Sequence, residues 1–243
     1  MAALGLPLVA VVAIAISLCG TLAMMAFSVV YADEPGTQFW APAYMLETVG
    51  TITLVVRAPA DDPVTTMSGS VCFVLGYLLL WAGYLRFFNR RPPWLPAMAV
   101  MIAYLAALVW SVIVMPHPDL RAGATMLTIA LLTGLTCYSV LRYMQVELLQ
   151  SQALIALLFG LLTVGSLARG LLGMSGRLPG AGFTNGPLGY GIYLVTATMW
   201  LLLATCTGMM LVRRRRLSVP ASDAAPPPPH QAPPSAAGAP PPR

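Results

Sequence analysis

Apolar residues gather in seven long runs, at Leu4–Val30, Phe39–Val56, Met67–Leu85, Leu95–Val114, Ala122–Leu141, Ala153–Leu172 and Leu188–Val212. An α-helix rises about 1.5 Å per residue, so runs of roughly 18 to 27 residues match a hydrocarbon core about 30 Å thick. The pattern predicts an all-α, polytopic membrane protein: a seven-helix transmembrane bundle over residues 1–216. The first run has neither the basic leader nor the short apolar core of a secretory signal. The second is the weakest of the seven, because Glu47 interrupts it and Arg57 closes it.

Short polar breaks separate the runs. Arg57-Ala-Pro-Ala-Asp-Asp-Pro63 and Met115-Pro-His-Pro-Asp119 carry the Asp and Pro of turns. Residues 175–187, rich in Gly and Pro, form the longest expected loop, and residues 142–152 a short polar connection. From Leu217 the character changes: ten of the last 27 residues are proline, including Pro226–Pro229. Such a segment neither holds a helix nor builds a core, and residues 217–243 are expected to be a disordered tail.

The orientation follows from arginine. Trp81-Ala-Gly-Tyr-Leu-Arg-Phe-Phe-Asn-Arg-Arg-Pro-Pro-Trp94 marks one membrane surface with three arginines and flanking tryptophans. Counting outward, Arg86, Arg90, Arg91, Arg142 and Arg213–Arg216 share one side, and Arg57, Arg121 and Arg177 the other. Eight against three predicts an outside N-terminus and a cytoplasmic C-terminus. All 13 basic residues are Arg, and with abundant Ala and Pro this usage hints at a GC-rich bacterial genome and so at a bacterial inner membrane.

Composition narrows the function classes. The chain is 58% hydrophobic and 9% charged, with mean hydropathy +0.79, against about 25% charge in soluble domains. Its basic clusters abut apolar runs rather than a solvated face, so the lipid bilayer and not nucleic acid is the expected partner. Cys19, Cys72, Cys137 and Cys206 stand singly within apolar runs, with no Cys-x-x-Cys; no metal site, disulfide or cofactor is expected. HExxH, GxSxG and Walker sequences are absent, so no catalytic residue is assigned and a non-enzymatic protein is expected.

Ionisable residues at membrane depth are the candidates for function, since a charge there costs at least about 2.5–3.5 kcal/mol on insertion scales. Glu47 and Arg169 lie inside runs, while Arg57 and Arg121 lie at run ends on the side away from the arginine cluster. Three guanidiniums approaching that surface would suit a small anionic ligand, because the planar fork binds carboxylate or phosphate in a bidentate manner. The competing reading is structural: terminal arginines snorkel to lipid phosphates, and Asp61, Asp62 and Asp119 neutralise them. His117, between two prolines, is either an external pH sensor or a solvated loop residue. Gly160, Gly165, Gly170 and Gly173 are read as sites where helices approach closely.

The segments L-L-W-A-G-Y-L-R-F-F-N-R-R-P-P-W, M-P-H-P-D-L-R (Met115–Arg121), S-L-A-R-G-L-L and F-W-A-P-A-Y-M-L-E-T-V-G-T-I-T-L-V-V-R (Phe39–Arg57) together resemble the seven-span N-terminal sensor module of bacterial membrane-bound GGDEF proteins, the diguanylate cyclases. The resemblance covers about residues 4–216. It implies that Arg57, Arg86, Arg121 and Arg169 occupy arginine positions of that family, and that Phe39–Val56 is a true span. In the family the last helix continues into a catalytic domain; here four arginines and a proline-rich tail follow, and no G-G-D-E-F sequence occurs. The resemblance therefore implies a receptor-like module that signals through a homodimer or a membrane signalling partner. The rival expectations are a transporter or channel subunit, which would line several helices with polar residues, and a truncated remnant of a membrane cyclase.

Overall fold

A computed structural model describes residues 8–56, 63–114, 118–175 and 187–218. Within them lie seven helices: α1 (Leu8–Val30), α2 (Thr37–Val56), α3 (Pro63–Phe87), α4 (Trp94–Ile113), α5 (Pro118–Arg142), α6 (Leu149–Met174) and α7 (Pro187–Ser218), with a 3-10 turn at Val146–Leu148. Six of them, all but α2, are long and apolar enough to cross a membrane. The turn at 57–62, His117, the loop at 176–186 and the tail from 219 onward lie outside the described residues.

Each helix overlaps one apolar run and most extend beyond it. The largest departure is at the end of α7, expected to stop at Val212 but continuing through Arg213–Arg216 to Ser218. Arginine is a good helix former, and cations in a last turn are favoured by the helix dipole, so the four arginines prolong the helix. The connection expected at 142–152 is likewise shorter. Gln152 is already inside α6, fully buried, and its Oε1 accepts the Gln145 amide at 2.7 Å.

Six helices close into a ring in the order α1, α2, α3, α5, α6, α7, while α4 packs outside it on α5 and, more lightly, on α3. Helix α4 accordingly buries little, and Leu95, Ile102, Trp110 and Ile113 face outward. The ring is filled by aromatic side chains. Trp40 stacks on Tyr84 and Phe87 at 5.2 and 5.7 Å, Tyr84 meets Phe159 edge-on at 5.5 Å, and Trp200 meets Tyr44 and Tyr77 at 4.6 and 5.1 Å. Such pairs add about 0.5–1.5 kcal/mol each beyond their buried area.

Helices α2 and α3 pack closely along a seven-residue rhythm of small residues. Gly36, Ala43 and Gly50 face Gly83, Gly76 and Gly69 in antiparallel order. A Cβ on Gly76 would lie 3.0 Å from the Ala43 carbonyl, and one on Gly50 3.0 Å from the Gly69 carbonyl. At Gly36 it would strike the Gly83 carbonyl, and φ is +103° there, a region costly for any other residue. At Gly83 it would strike the Trp40 indole. The seam aligns α2 with α3 for 14 residues, about 21 Å.

The small residues of α6 behave as expected with one exception. A Cβ on Gly170 would meet Leu127, one on Gly173 the Gly123 backbone, and one on Gly160 the Cys137 Sγ at 3.9 Å, all on α5, whereas one on Gly165 would meet nothing within 4 Å, and that residue faces outward. At the other turn of interest, α3 ends in a left-handed cap. Asn89 has φ 57°, its amide donates to the Arg86 carbonyl, and the Arg90 amide donates to the Leu85 carbonyl, each at 2.8 Å, before Pro92 and Pro93 prevent continuation.

Gly36→Ala should lower the apparent melting temperature of the detergent-purified protein sharply, since backbone strain and overpacking each cost about 1–3 kcal/mol. Gly165→Ala should leave it unchanged or raise it, because alanine is favoured over glycine in a helix by about 0.8–1 kcal/mol. Equal melting of the two variants would contradict the seam.

Candidate functional site

A buried carboxyl and a hydrogen-bonded aromatic group lie between α2, α3 and α7. Glu47, on the inner face of α2, is 1% exposed, and its Oε1 accepts the Thr51 hydroxyl at 3.3 Å. The backbone of Glu47 lies against Gly76, so the bare glycine lets α2 press its carboxylate-bearing turn onto α3. The next residue of α3, Tyr77, is 3% exposed, and its hydroxyl accepts the Trp200 Nε1–H at 3.1 Å. The same hydroxyl is within electrostatic reach of both the Glu47 carboxyl and the Arg169 guanidinium.

Trp200 is the hub. Its ring packs between Tyr44 and Tyr77, and its carbonyl accepts the Tyr44 hydroxyl at 3.1 Å. Three helices thereby share one connected group, Tyr44 from α2, Tyr77 from α3 and Trp200 from α7, with the Glu47 carboxyl and the α6 residue Arg169 within electrostatic reach of Tyr77. A second line of hydroxyls fastens α1 to α2, where the Thr21 and Thr48 hydroxyls lie 2.7 Å apart; one donates to the other, which donates in turn to a backbone carbonyl, Thr21 to that of Tyr44 or Thr48 to that of Ser17. Buried hydroxyls and indoles need partners in a medium without water, and these residues find theirs across helices.

Of the four site residues expected from the sequence, Glu47 and Arg169 both lie within electrostatic reach of Tyr77. Arg169 is half-buried, ten residues or about 15 Å along α6 from the Phe159 ring that packs on Tyr84. Arg121, in the first turns of α5, is half-buried and lies within electrostatic reach of Tyr104 on α4, whose hydroxyl is 3.3 Å from Thr125 Oγ1. Arg57 lies outside the described residues. Arg86 is exposed in the last turn of α3, at the opposite end of the bundle from Arg121. Among the described residues no group of three or more His, Cys, Asp or Glu could hold a metal ion, and the four cysteines are free thiols.

Sequence reasoning passed over Tyr44, Tyr77 and Trp200. The available signal was that tyrosine hydroxyls and an indole in mid-run, far from either headgroup zone, must bond to something inside the protein.

The arginine-rich end is a second polar zone. Arg214 Nε stands 3.1 Å from Glu34 Oε2, Arg214 Nη1 donates to the Phe87 carbonyl at 2.7 Å, and its guanidinium lies 4.4 Å from the Phe87 ring centre. Arg215 donates to the Val30 carbonyl at 3.2 Å and Arg213 to Gln150 Oε1 at 3.1 Å. These contacts tie the end of α7 to α1, the turn that follows it, α3 and α6.

Trp200→Phe should keep the ring but remove the donor to Tyr77, costing about 1 kcal/mol, while Trp200→Ala should cost about 3–5 kcal/mol and lower the melting temperature much further. Comparable melting curves for the two variants would show that the indole hydrogen bond, and not ring packing, holds the hub. No protein-family model, curated protein or solved structure matches this chain.

Proposed function

We propose that the protein is a non-enzymatic, seven-span sensing module of a bacterial inner membrane, with its N-terminus outside and its arginine-rich end in the cytoplasm. On this reading a small anionic ligand enters from the outer face, engages Arg121, Arg169 and Arg57 with Glu47 nearby, and is reported through α7. The supporting observation is the continuity of that helix. Trp200 is hydrogen-bonded to the Tyr77 hydroxyl that senses Glu47 and Arg169, and 14 residues further on Arg214 is locked to Glu34 and Phe87. A ligand that drew on the Arg169 charge would alter the field at Tyr77 and bias where α7 sits. Coupling of this kind is typically worth about 1–3 kcal/mol.

The α2–α3 seam supports counting α2 as the seventh span, because it keeps α2 beside an apolar crossing helix for about 21 Å. A helix enclosed by protein tolerates a glutamate that a lipid-facing helix does not. The aromatic filling of the ring suits a module whose helices shift relative to one another more than a conduit lined with polar groups. The output passes to a second copy or to a membrane signalling partner.

Screening the detergent-purified protein against carboxylates and phosphate esters should reveal at least one anion that raises its melting temperature. Arg169→Ala or Arg121→Ala should weaken that anion by about tenfold or more, the loss of one charge-assisted hydrogen bond. A stabilising anion indifferent to both substitutions would move the site elsewhere, and solute accumulation in proteoliposomes would favour a transporter. Separately, reporter fusions after residue 216 should be active as cytoplasmic reporters and silent as periplasmic ones; the reverse result would invert the orientation.

A further inference from the structure

Helical periodicity divides Arg213–Arg216 into two pairs with different tasks. Arg214 turns inward onto Glu34 and Phe87, and Arg215, exposed, reaches across to the Val30 carbonyl and the Tyr31 ring. Arg213 and Arg216, three positions apart and so on one side of α7, stand instead at the end of a groove of about 420 Å³ between α1 and α7. Its walls are otherwise largely apolar, formed by Phe27 of α1 and by Thr205, Gly208 and Met209 of α7 among others. Gly208 lets the Phe27 ring pack down onto α7 as one wall of the groove, because a side chain there would collide with that ring. One guanidinium nitrogen of Arg213 is committed to Gln150, which fixes that cation at the rim, and Arg216 is exposed beside it.

We infer that this groove is a binding site for one anionic phospholipid, whose acyl chain lies along Phe27, Gly208 and Thr205 and whose phosphate is held by Arg213 and Arg216. Three observations carry the assignment. The volume lies within the range of about 300–1,000 Å³ common to small-ligand pockets. From Thr205 to Arg216 the helix rises about 16 Å, the depth of one leaflet of a hydrocarbon core about 30 Å thick. The two cations lie at one end only, which complements an amphiphile with a charged head and a long tail. Basic residues at this level attract acidic headgroups, and the guanidinium fork matches a phosphate. A bound lipid would bridge α1 and α7, the pair that closes the ring, and so add to the ties already made by Arg214 and Arg215.

The test is native mass spectrometry of the full chain after exchange into micelles doped with phosphatidylglycerol or with phosphatidylcholine of the same acyl chains, together with melting curves in each lipid and in inorganic phosphate. The wild type should retain phosphatidylglycerol in preference to phosphatidylcholine and melt at a higher temperature with it. Arg213→Gln/Arg216→Gln should retain about tenfold less phosphatidylglycerol or lower still, while Arg86→Gln/Arg91→Gln, which removes the same charge from the same end, should retain it as the wild type does. Should the double variant fail to fold, Thr205→Trp fills the groove while sparing both cations and should also lose the lipid. Equal retention of the two lipids, equal loss in the Arg86/Arg91 control, full retention by Thr205→Trp, or the same stabilisation by inorganic phosphate alone would each overturn the site.

Discussion

Helices surrounded by lipid gain little from hiding apolar side chains from one another, so close backbone packing must hold them together. In this protein the most demanding instance is the α2–α3 seam, where Gly36, Ala43 and Gly50 meet Gly83, Gly76 and Gly69. Much of the interior depends on it. The approach at Gly76 seats Glu47 beside Tyr77, and the bare Gly83 gives the Trp40 indole its place over α3. Trp40 in turn orders Tyr84 and Phe87, and Phe87 supplies the carbonyl and the ring on which Arg214 rests.

The seam also accounts for the odd composition of α2. A helix carrying Glu47, Thr48 and Thr51 on one face would be a poor membrane element alone. Enclosed between α1 and α3, it turns those residues inward, where all three are nearly inaccessible, and shows Met45 and Val49 outward. The pattern inverts that of a soluble amphipathic helix: the polar stripe faces protein and the apolar stripe faces the surroundings. Helix α4 is the opposite case, apolar on nearly every side, and it is the helix left outside the ring.

How much of this was legible follows from the physics of each signal. The helices announced themselves because a run of about twenty apolar residues has few other uses, and every run reappears as a helix. The ends were less legible, since arginine is equally at home in a loop and in a last turn; Arg213–Arg216 read as a boundary and are in fact helix. Glu47 and Arg169 stood out as charges at depth; Glu47 is buried and Arg169 half-buried. Tyr44, Tyr77 and Trp200 were overlooked because aromatics in apolar runs resemble ordinary core or interface residues until their partners on other helices are known. The sevenfold spacing of small residues in α2 and α3 was present in the sequence, but only the pairing of the two helices gives it meaning. Ring order, with α4 outside, leaves no mark in a pattern of similar runs.

One consequence of α7 being unbroken from Pro187 to Ser218 concerns angular phase. Successive residues are offset by about 100° around a helix axis, so the azimuth of Trp200 dictates the azimuth of every guanidinium beyond it. A single inserted residue between them would swing the Arg214 side chain away from Glu34 and carry its neighbours to new bearings. The helix is thus a keyed shaft, in which angle as well as height is fixed between Trp200 and the arginine-rich end.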